Sequence, residues 1–184
     1  MIWPIRFFQC AVTAFAIAGI PVQAQAAPAD AALFDLLAQK EGDAWMEAEA
    51  EILSAWEDTG SEPLNLIQMR GENALDEGDF PTAIGHLTAL VDHAPDHAMG
   101  YQLRGLAYWL NGNYGPAAYD LSKALELEPK QFLALSQLGA MLEELGDNER
   151  AADAFRRSLD IHPNQPDAIE ATKRLDAVET GTDI

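Results

Sequence analysis

Two Asp-His pairs, Asp92-His93 and Asp96-His97, flank Pro95 within six residues. Histidine nitrogens and aspartate oxygens are donors that zinc or copper accepts, so this is the nearest the chain comes to a metal motif. Short polar side chains beside a proline are also ordinary turn chemistry. The turn reading is adopted, and it places these side chains in solvent. His162 lies at a comparable junction, His86 lies on a helix, and both read as structural or exposed. Other chemical signatures are missing from the sequence: it has no Gly-rich phosphate loop, no cysteine cluster, no His-Glu-x-x-His and no nucleophile elbow. No catalytic residue, metal ligand or cofactor is therefore assigned, and the chain is expected not to be an enzyme.

The elements that carry these residues follow from a repeat. Proline recurs at Pro95, Pro129 and Pro163, glycine at Gly71, Gly105 and Gly139, and alanine at Ala83, Ala117 and Ala151. Each ladder advances by the same step, which marks a repeat architecture. Every unit reads as two helices. In the unit 98–131, Tyr101, Leu103, Leu106, Tyr108 and Trp109 lie on the first helix, which stops at Asn111-Gly112-Asn113. Gly112 is suited to the left-handed conformation that closes a helix. The second helix begins near Tyr114 and ends before Pro129, since proline disfavours helix in the residue before it. The units 64–97 and 132–165 repeat the scheme, with turns at Gly78-Asp79 and Gly146-Asp147 and with Asp79 and Asp147 as N-caps. The small residues mark where the two helices of a hairpin approach most closely, and Leu87, Leu121 and Phe155 are the large knobs that fill the remaining space.

The pattern Tyr101, Arg104-Gly105, Tyr108, Tyr114, Ala117, Leu121, Ala124, Pro129 resembles the tetratricopeptide-repeat motif. The flanking units match through Gly71, Ala74, Ala83, Leu87, Leu90 and Pro95, and through Leu135, Leu138-Gly139, Leu142, Gly146, Ala151, Phe155 and Pro163. Arg70 and Arg104 depart from the motif, standing where leucine is usual. The resemblance implies an all-α superhelical solenoid of about three helical hairpins, and a role in holding a partner protein. It also implies a concave face lined by the first helix of each unit. By register that face comprises Asn65, Gln68 and Glu72, then Met99, Gln102, Leu106 and Trp109, then Leu133, Ser136, Ala140 and Glu143. Trp109 and Met99 are its candidate anchors, Trp109 because a large ring gives contact area at low entropic cost. Some members of the family clamp a C-terminal carboxylate with Lys, Arg and Asn on this face. The matching positions here hold no Lys or Arg, and Glu72 and Glu143 would repel a carboxylate. A neutral or basic, partly apolar peptide fits better. The expected role is an exported scaffold or adaptor. The alternatives are a self-associating structural module of the envelope, forming a homodimer, and a metal carrier using the Asp-His pairs.

Both ends differ from the repeats. Residues 30–60 read as a helical hairpin turning at Lys40-Glu41-Gly42-Asp43, with Trp45, Ile52 and Trp56 roughly on one face. It lacks the Gly and Ala columns and reads as a degenerate repeat or cap that packs its tryptophans on the array. Residues 166–178 suggest a capping helix, with Ile169, Thr172, Leu175 and Val178 inward, and residues 179–184 a mobile tail. Residues 1–26 read as a signal peptide. Arg6 is followed by the apolar run FFQCAVTAFAIAGI, and small residues then allow cleavage near Ala26. That predicts an exported, periplasmic protein with no stable membrane insertion after cleavage. Cys10, the only cysteine, would leave with the leader, so stability must come from helix packing. The net charge of −19 disfavours nucleic acid and anionic membrane as partners.

Overall fold

Glycine turns and prolines punctuate the chain, and the helices fall between them. The computed structural model describes residues 31–179. Within them the elements are α1 (Ala31–Leu37), α2 (Ala44–Glu57), α3 (Glu62–Asp76), α4 (Phe80–His93), α5 (Ala98–Leu110), α6 (Tyr114–Leu127), α7 (Phe132–Glu144), α8 (Asn148–Ile161) and α9 (Pro166–Glu179). There is no strand among the described residues. The leader expected over 1–26 lies outside the described residues, as does the tail expected over 179–184 apart from Glu179, which ends α9. No described helix is long and apolar enough to cross a membrane.

The three repeats are the hairpins α3–α4, α5–α6 and α7–α8, stacked in chain order, with α9 against α8. Their turns are alike. Gly78, Gly112 and Gly146 have φ of 73°, 76° and 79°, the left-handed region that glycine enters without a Cβ clash. The next residue then donates back to an orphan helix carbonyl: Asp79 N to Ala74 O (2.8 Å), Asn113 N to Tyr108 O (2.8 Å) and Asp147 N to Leu142 O (2.9 Å). Asp79 and Asp147 cap the following helices by accepting from Thr82 N and Arg150 N, each at 3.2 Å. The second helices end at His93, Leu127 and Ile161, two residues before Pro95, Pro129 and Pro163.

The small-residue ladder sets the distance between paired helices. A Cβ placed on Gly71 would lie 2.7 Å from Leu87, one on Gly105 3.0 Å from Leu121, and one on Gly139 3.0 Å from the Phe155 ring. Ala83, Ala117 and Ala151 are fully buried. Three apolar clusters follow the repeats. One gathers Ala74, Ala83, Leu87 and Leu90 with Ala107 of the next hairpin, and another gathers Ala117, Leu121 and Ala124 with Ala134 and Met141. The third joins Ala151, Ala152 and Phe155 to Ala168, Ala171 and Leu175 of α9. The buried face of α9 is thus centred on Ala168, Ala171 and Leu175, whereas Val178 is exposed. Alanines of α8 and α9, with Phe155 and Leu175, form the seam between these helices.

The middle repeat holds one buried ion pair. Arg104 donates from Nε and Nη2 to the two oxygens of Asp120, at 2.7 and 2.9 Å, and Asp120 is only 1% exposed. Tyr101 and Tyr108 flank the guanidinium. The hydrogen bonds to Asp120 hold the guanidinium pKa above its usual value despite burial. Arginine at a leucine position is accommodated because both carboxylate oxygens accept from it. Removing Asp120 would leave a charge uncompensated, a loss of roughly 3–5 kcal/mol for pairs of this kind.

A second periodic contact joins successive repeats. His97, Gln131 and Gln165 occupy equivalent places, each just before the first helix of the following unit. His97 Nε2 lies 2.7 Å from Gln68 Oε1, and Ser136 Oγ lies 2.8 Å from Gln165 Oε1. Polar groups on one repeat thereby meet the start of the next. Expected exposed, His97 is instead buried, because the turn after Pro95 directs its ring onto α3. Burial drives its pKa down to about 4, against a smaller upward pull from Asp58.

Two predictions follow from this packing. Gly105→Leu should destabilise the array by about 1–3 kcal/mol through overpacking against Leu121. Denaturant melts read the loss, and an unchanged midpoint contradicts the packing scheme. His97→Gln, which installs the residue found at the other two junctions, should flatten the pH dependence of stability. Above pH 6.5 the imidazole is neutral in both states. Between 6.5 and about 4 the unfolded chain takes up a proton that the folded chain refuses, so stability falls as pH falls. The wild type should lose on the order of 1 kcal/mol per pH unit relative to the variant across that window. Parallel curves for the two proteins would be inconsistent with a neutral buried His97.

Candidate functional site

The first helices α3, α5 and α7 carry the residues placed by register on one face. At the first repeat, Asn65 accepts from Thr59 N (2.9 Å) and donates to Asp58 Oδ1 (3.0 Å), so it fastens the α2–α3 connection. Gln68 is buried and donates to Glu72 Oε1 at 3.0 Å while its own oxygen meets His97. Glu72 is half-buried, and that burial raises its pKa in spite of the hydrogen bond from Gln68. Ser54, Glu57, Asp58, Asn65, Gln68, Met69 and Glu72 line an open cleft of about 270 Å³ between α2 and α3.

Farther along, the face is already covered in two places. Met99 is buried and Leu133 partly buried against the α1–α2 hairpin, in a cluster with Phe34, Leu37, Ala48, Ile52, Trp56 and Phe132. Gln102, one turn beyond Met99, is buried with no partner for its Oε1. Ser136 bonds to Ser158 and Gln165. At the third repeat, Ala140 packs against the α8–α9 cluster, and Glu143 receives Arg174 of α9 through two hydrogen bonds of 2.7 and 2.9 Å. Leu106 and Trp109 lie between the two covers and are half-buried. Trp109 Nε1 donates to Glu144 Oε2 at 2.7 Å and Tyr114 donates to Glu144 Oε1 at 2.8 Å. These two bonds lower the Glu144 pKa. They also fix the indole between the second and third repeats, with Leu110 exposed beside it.

The N-terminal hairpin rests its tryptophans on the array. It does not continue the stack of hairpins on α3–α4. Instead α2 runs past the starts of α5 and α7 toward the α8–α9 junction. Trp56 sits 5.3 Å from Phe132, ring centre to centre, and Phe132 sits 4.9 Å from His162. Trp45 also reaches His162, at 5.6 Å. Glu49 Oε1 lies 3.3 Å from His162 Nε2, while burial lowers the His162 pKa and Glu49 partly opposes it. Asn164 donates to the Gln39 carbonyl at 2.7 Å, and Lys130 Nζ lies 4.3 Å above the Phe34 ring. A partly exposed ion pair contributes about 1 kcal/mol or less, whereas each large apolar side chain buried contributes about 1.5–3 kcal/mol. Apolar burial by Phe34, Leu37, Ile52 and Trp56 therefore holds the hairpin down. The Trp45, Ile52 and Trp56 stripe showed that this helix had something to cover, but its spacing carried no information on what.

The Asp-His pairs do not converge. Asp92, His93 and Asp96 are exposed while His97 turns inward, and among the described residues no group of three or more His, Cys, Asp or Glu could hold a metal. His86 is half-buried on α4 and His162 is buried.

Comparison with known proteins agrees with this geometry. The family described as tetratricopeptide repeat matches residues 69–131 and 117–166, together more than half of the chain. A TPR repeat-containing protein of Rhizobium etli is 32% identical over 125 residues, covering 68% of this chain and 61% of that protein. The small glutamine-rich tetratricopeptide repeat-containing protein 2 of Saccharomyces cerevisiae is 31% identical over 108 residues, covering 59% of this chain and 31% of that one. The chain thus spans less than two thirds of the length of these relatives. Among solved structures, the Arabidopsis OM64 TPR domain superposes with a TM-score of 0.59 at 26% identity, covering 62% of this chain and 94% of that domain. The first TPR of Spaghetti (RPAP3), bound to the HSP90 peptide SRMEEVD, superposes at 0.61 with 22% identity, covering 64% and 93%. With three hairpins in one register, close helix approach at the glycine and alanine columns and these matches over the same residues, the chain belongs to the tetratricopeptide-repeat family.

Proposed function

We propose that this protein is a non-enzymatic scaffold or adaptor that holds a segment of a partner protein on the concave face of its repeats, and that it works after export. The observation that carries the proposal is the half-buried Trp109, held by Glu144 between two covered stretches of that face, with Leu106 on the same helix face and Leu110 exposed beside it. A fixed aromatic ring next to apolar neighbours is the kind of anchor on which binding energy concentrates. Solved relatives in complex with peptides, including the HSP90 peptide SRMEEVD, support a peptide-holding role in general. They do not support the same ligand. Glu72, Glu143 and Glu144 border this face, and Arg174 is engaged by Glu143, so an acidic C-terminus would meet like charge. A neutral or basic, partly apolar segment suits it better. The signal-like segment 1–26 supports export to the periplasm.

A second reading, self-association, has its own observation. Because the hairpin lies across α5 and α7, Leu66 and Met69 on α3 remain 43% and 48% exposed at the open end of the array.

Photo-crosslinking in living cells separates these readings. A benzoylphenylalanine at position 109 should trap a distinct partner, whereas the same probe at Tyr119, which is 68% exposed on α6, should not. Equal labelling from both positions, or none from 109, counts against the groove. Light scattering should show a monomer at micromolar concentrations, and a concentration-dependent dimer abolished by Met69→Glu would favour self-association instead.

A further inference from the structure

The α1–α2 hairpin covers the starts of α5 and α7, which are part of the face assigned to partner binding. Four features show how it sits there. Its hold is mainly apolar, through Phe34, Leu37, Ile52 and Trp56 on Met99, Leu103, Phe132 and Leu133. Buried polar atoms along this seam lack partners: Trp56 Nε1, Gln102 Oε1, Gln131 Oε1 and His162 Nδ1. The hairpin joins α3 through Asp58-Thr59-Gly60-Ser61, where Gly60 has φ of 72°, so it hangs on a short connection rather than a helix. Finally, it is acidic and rests on an acidic array. Residues 31–57 carry seven carboxylates and one lysine, and residues 62–179 carry twenty acidic and nine basic side chains.

We propose that the α1–α2 hairpin is a built-in competitor for the concave face, and that the partner segment is an amphipathic helix that takes the place of α2. This rests on the peptide-holding role proposed above. The occupant defines the ligand class. Ala48, Ile52 and Trp56, at i, i+4 and i+8, are the buried residues of α2, so the incoming helix needs a small, an aliphatic and an aromatic side chain at that spacing. The charge mismatch sets its other face. Glu47, Glu51 and Glu57 are exposed on α2 and gain nothing from an acidic surface, so a helix with neutral or basic residues there displaces the hairpin. Unmatched polar atoms at Gln102 and Gln131 leave hydrogen-bonding capacity that the hairpin does not use and a different helix can.

The test uses the full chain in a C10S background with a cysteine pair, Q39C and N164C, placed where Asn164 now bonds to the Gln39 carbonyl. The probe is a fluorescein-labelled peptide of residues 44–57 carrying E47K, E51K and E57K. Circular dichroism first checks that the oxidised and reduced forms are equally helical. The reduced protein should bind the peptide at least tenfold tighter than the oxidised one, and adding I52A to the reduced form should tighten binding further. The unmodified 44–57 peptide should bind the reduced form more weakly than the lysine version, with the gap narrowing as salt is raised. Equal binding by oxidised and reduced protein overturns the competition while leaving a peptide-holding groove intact. No binding by the reduced form or by I52A overturns the helix as ligand. The crosslink from position 109 tests the groove separately.

Discussion

The fold depends on how closely two helices can approach at one point per hairpin. At Gly71, Gly105 and Gly139 a single methyl group would press into the facing Leu87, Leu121 or Phe155. Because those contacts recur in one register, the hairpins share a geometry, and because they share a geometry they stack with their first helices side by side. The concave face is a consequence of that stacking rather than a separately built site. Any ligand chemistry it has must come from the few positions that the packing leaves free to vary.

Those positions were legible in the sequence to different degrees. Gly112 closing a helix, Asp79 and Asp147 as caps, and the ends of α5 and α6 could be read from local rules, since the forces involved act within a few residues. The face could be listed from register, from Asn65 to Glu143, but its accessibility could not, because covering it depends on elements far away in sequence. Met99 sits under a helix that begins 55 residues earlier. His97 shows the same limit on a smaller scale. Turn chemistry places it correctly in the chain, while its burial comes from Gln68 across the repeat boundary. On α9, the apolar spacing identified a capping helix, yet the alanines rather than the larger residues decided which side faces inward.

The two covers of the concave face differ in kind. Arg174 of α9 meets Glu143 as an opposite charge, and Ala168 and Ala171 fit closely on α8, so the C-terminal end is sealed by complementary surfaces. The N-terminal cover is bulkier and more aromatic, brings negative charge to a negative array, and leaves polar atoms beneath it without partners. The hairpin covers an apolar surface shared by the second and third repeats, whereas α9 closes the last repeat.

The Arg104–Asp120 pair has a bearing on how the chain assembles. The corresponding places hold Arg70 and His86 in the first hairpin and Leu138 and Ala154 in the third. Similar repeats invite mispairing, in which a helix docks on the wrong neighbour with nearly native shape. If α5 took α8 as its mate, the guanidinium would face an alanine, and if α6 took α7, the carboxylate would face a leucine. Either exchange strands a charge in an apolar setting. The buried ionic couple in the middle of the array thus acts as a proofreading key against the third hairpin, where Leu138 and Ala154 offer no countercharge, whereas Arg70 of the first hairpin could still meet Asp120.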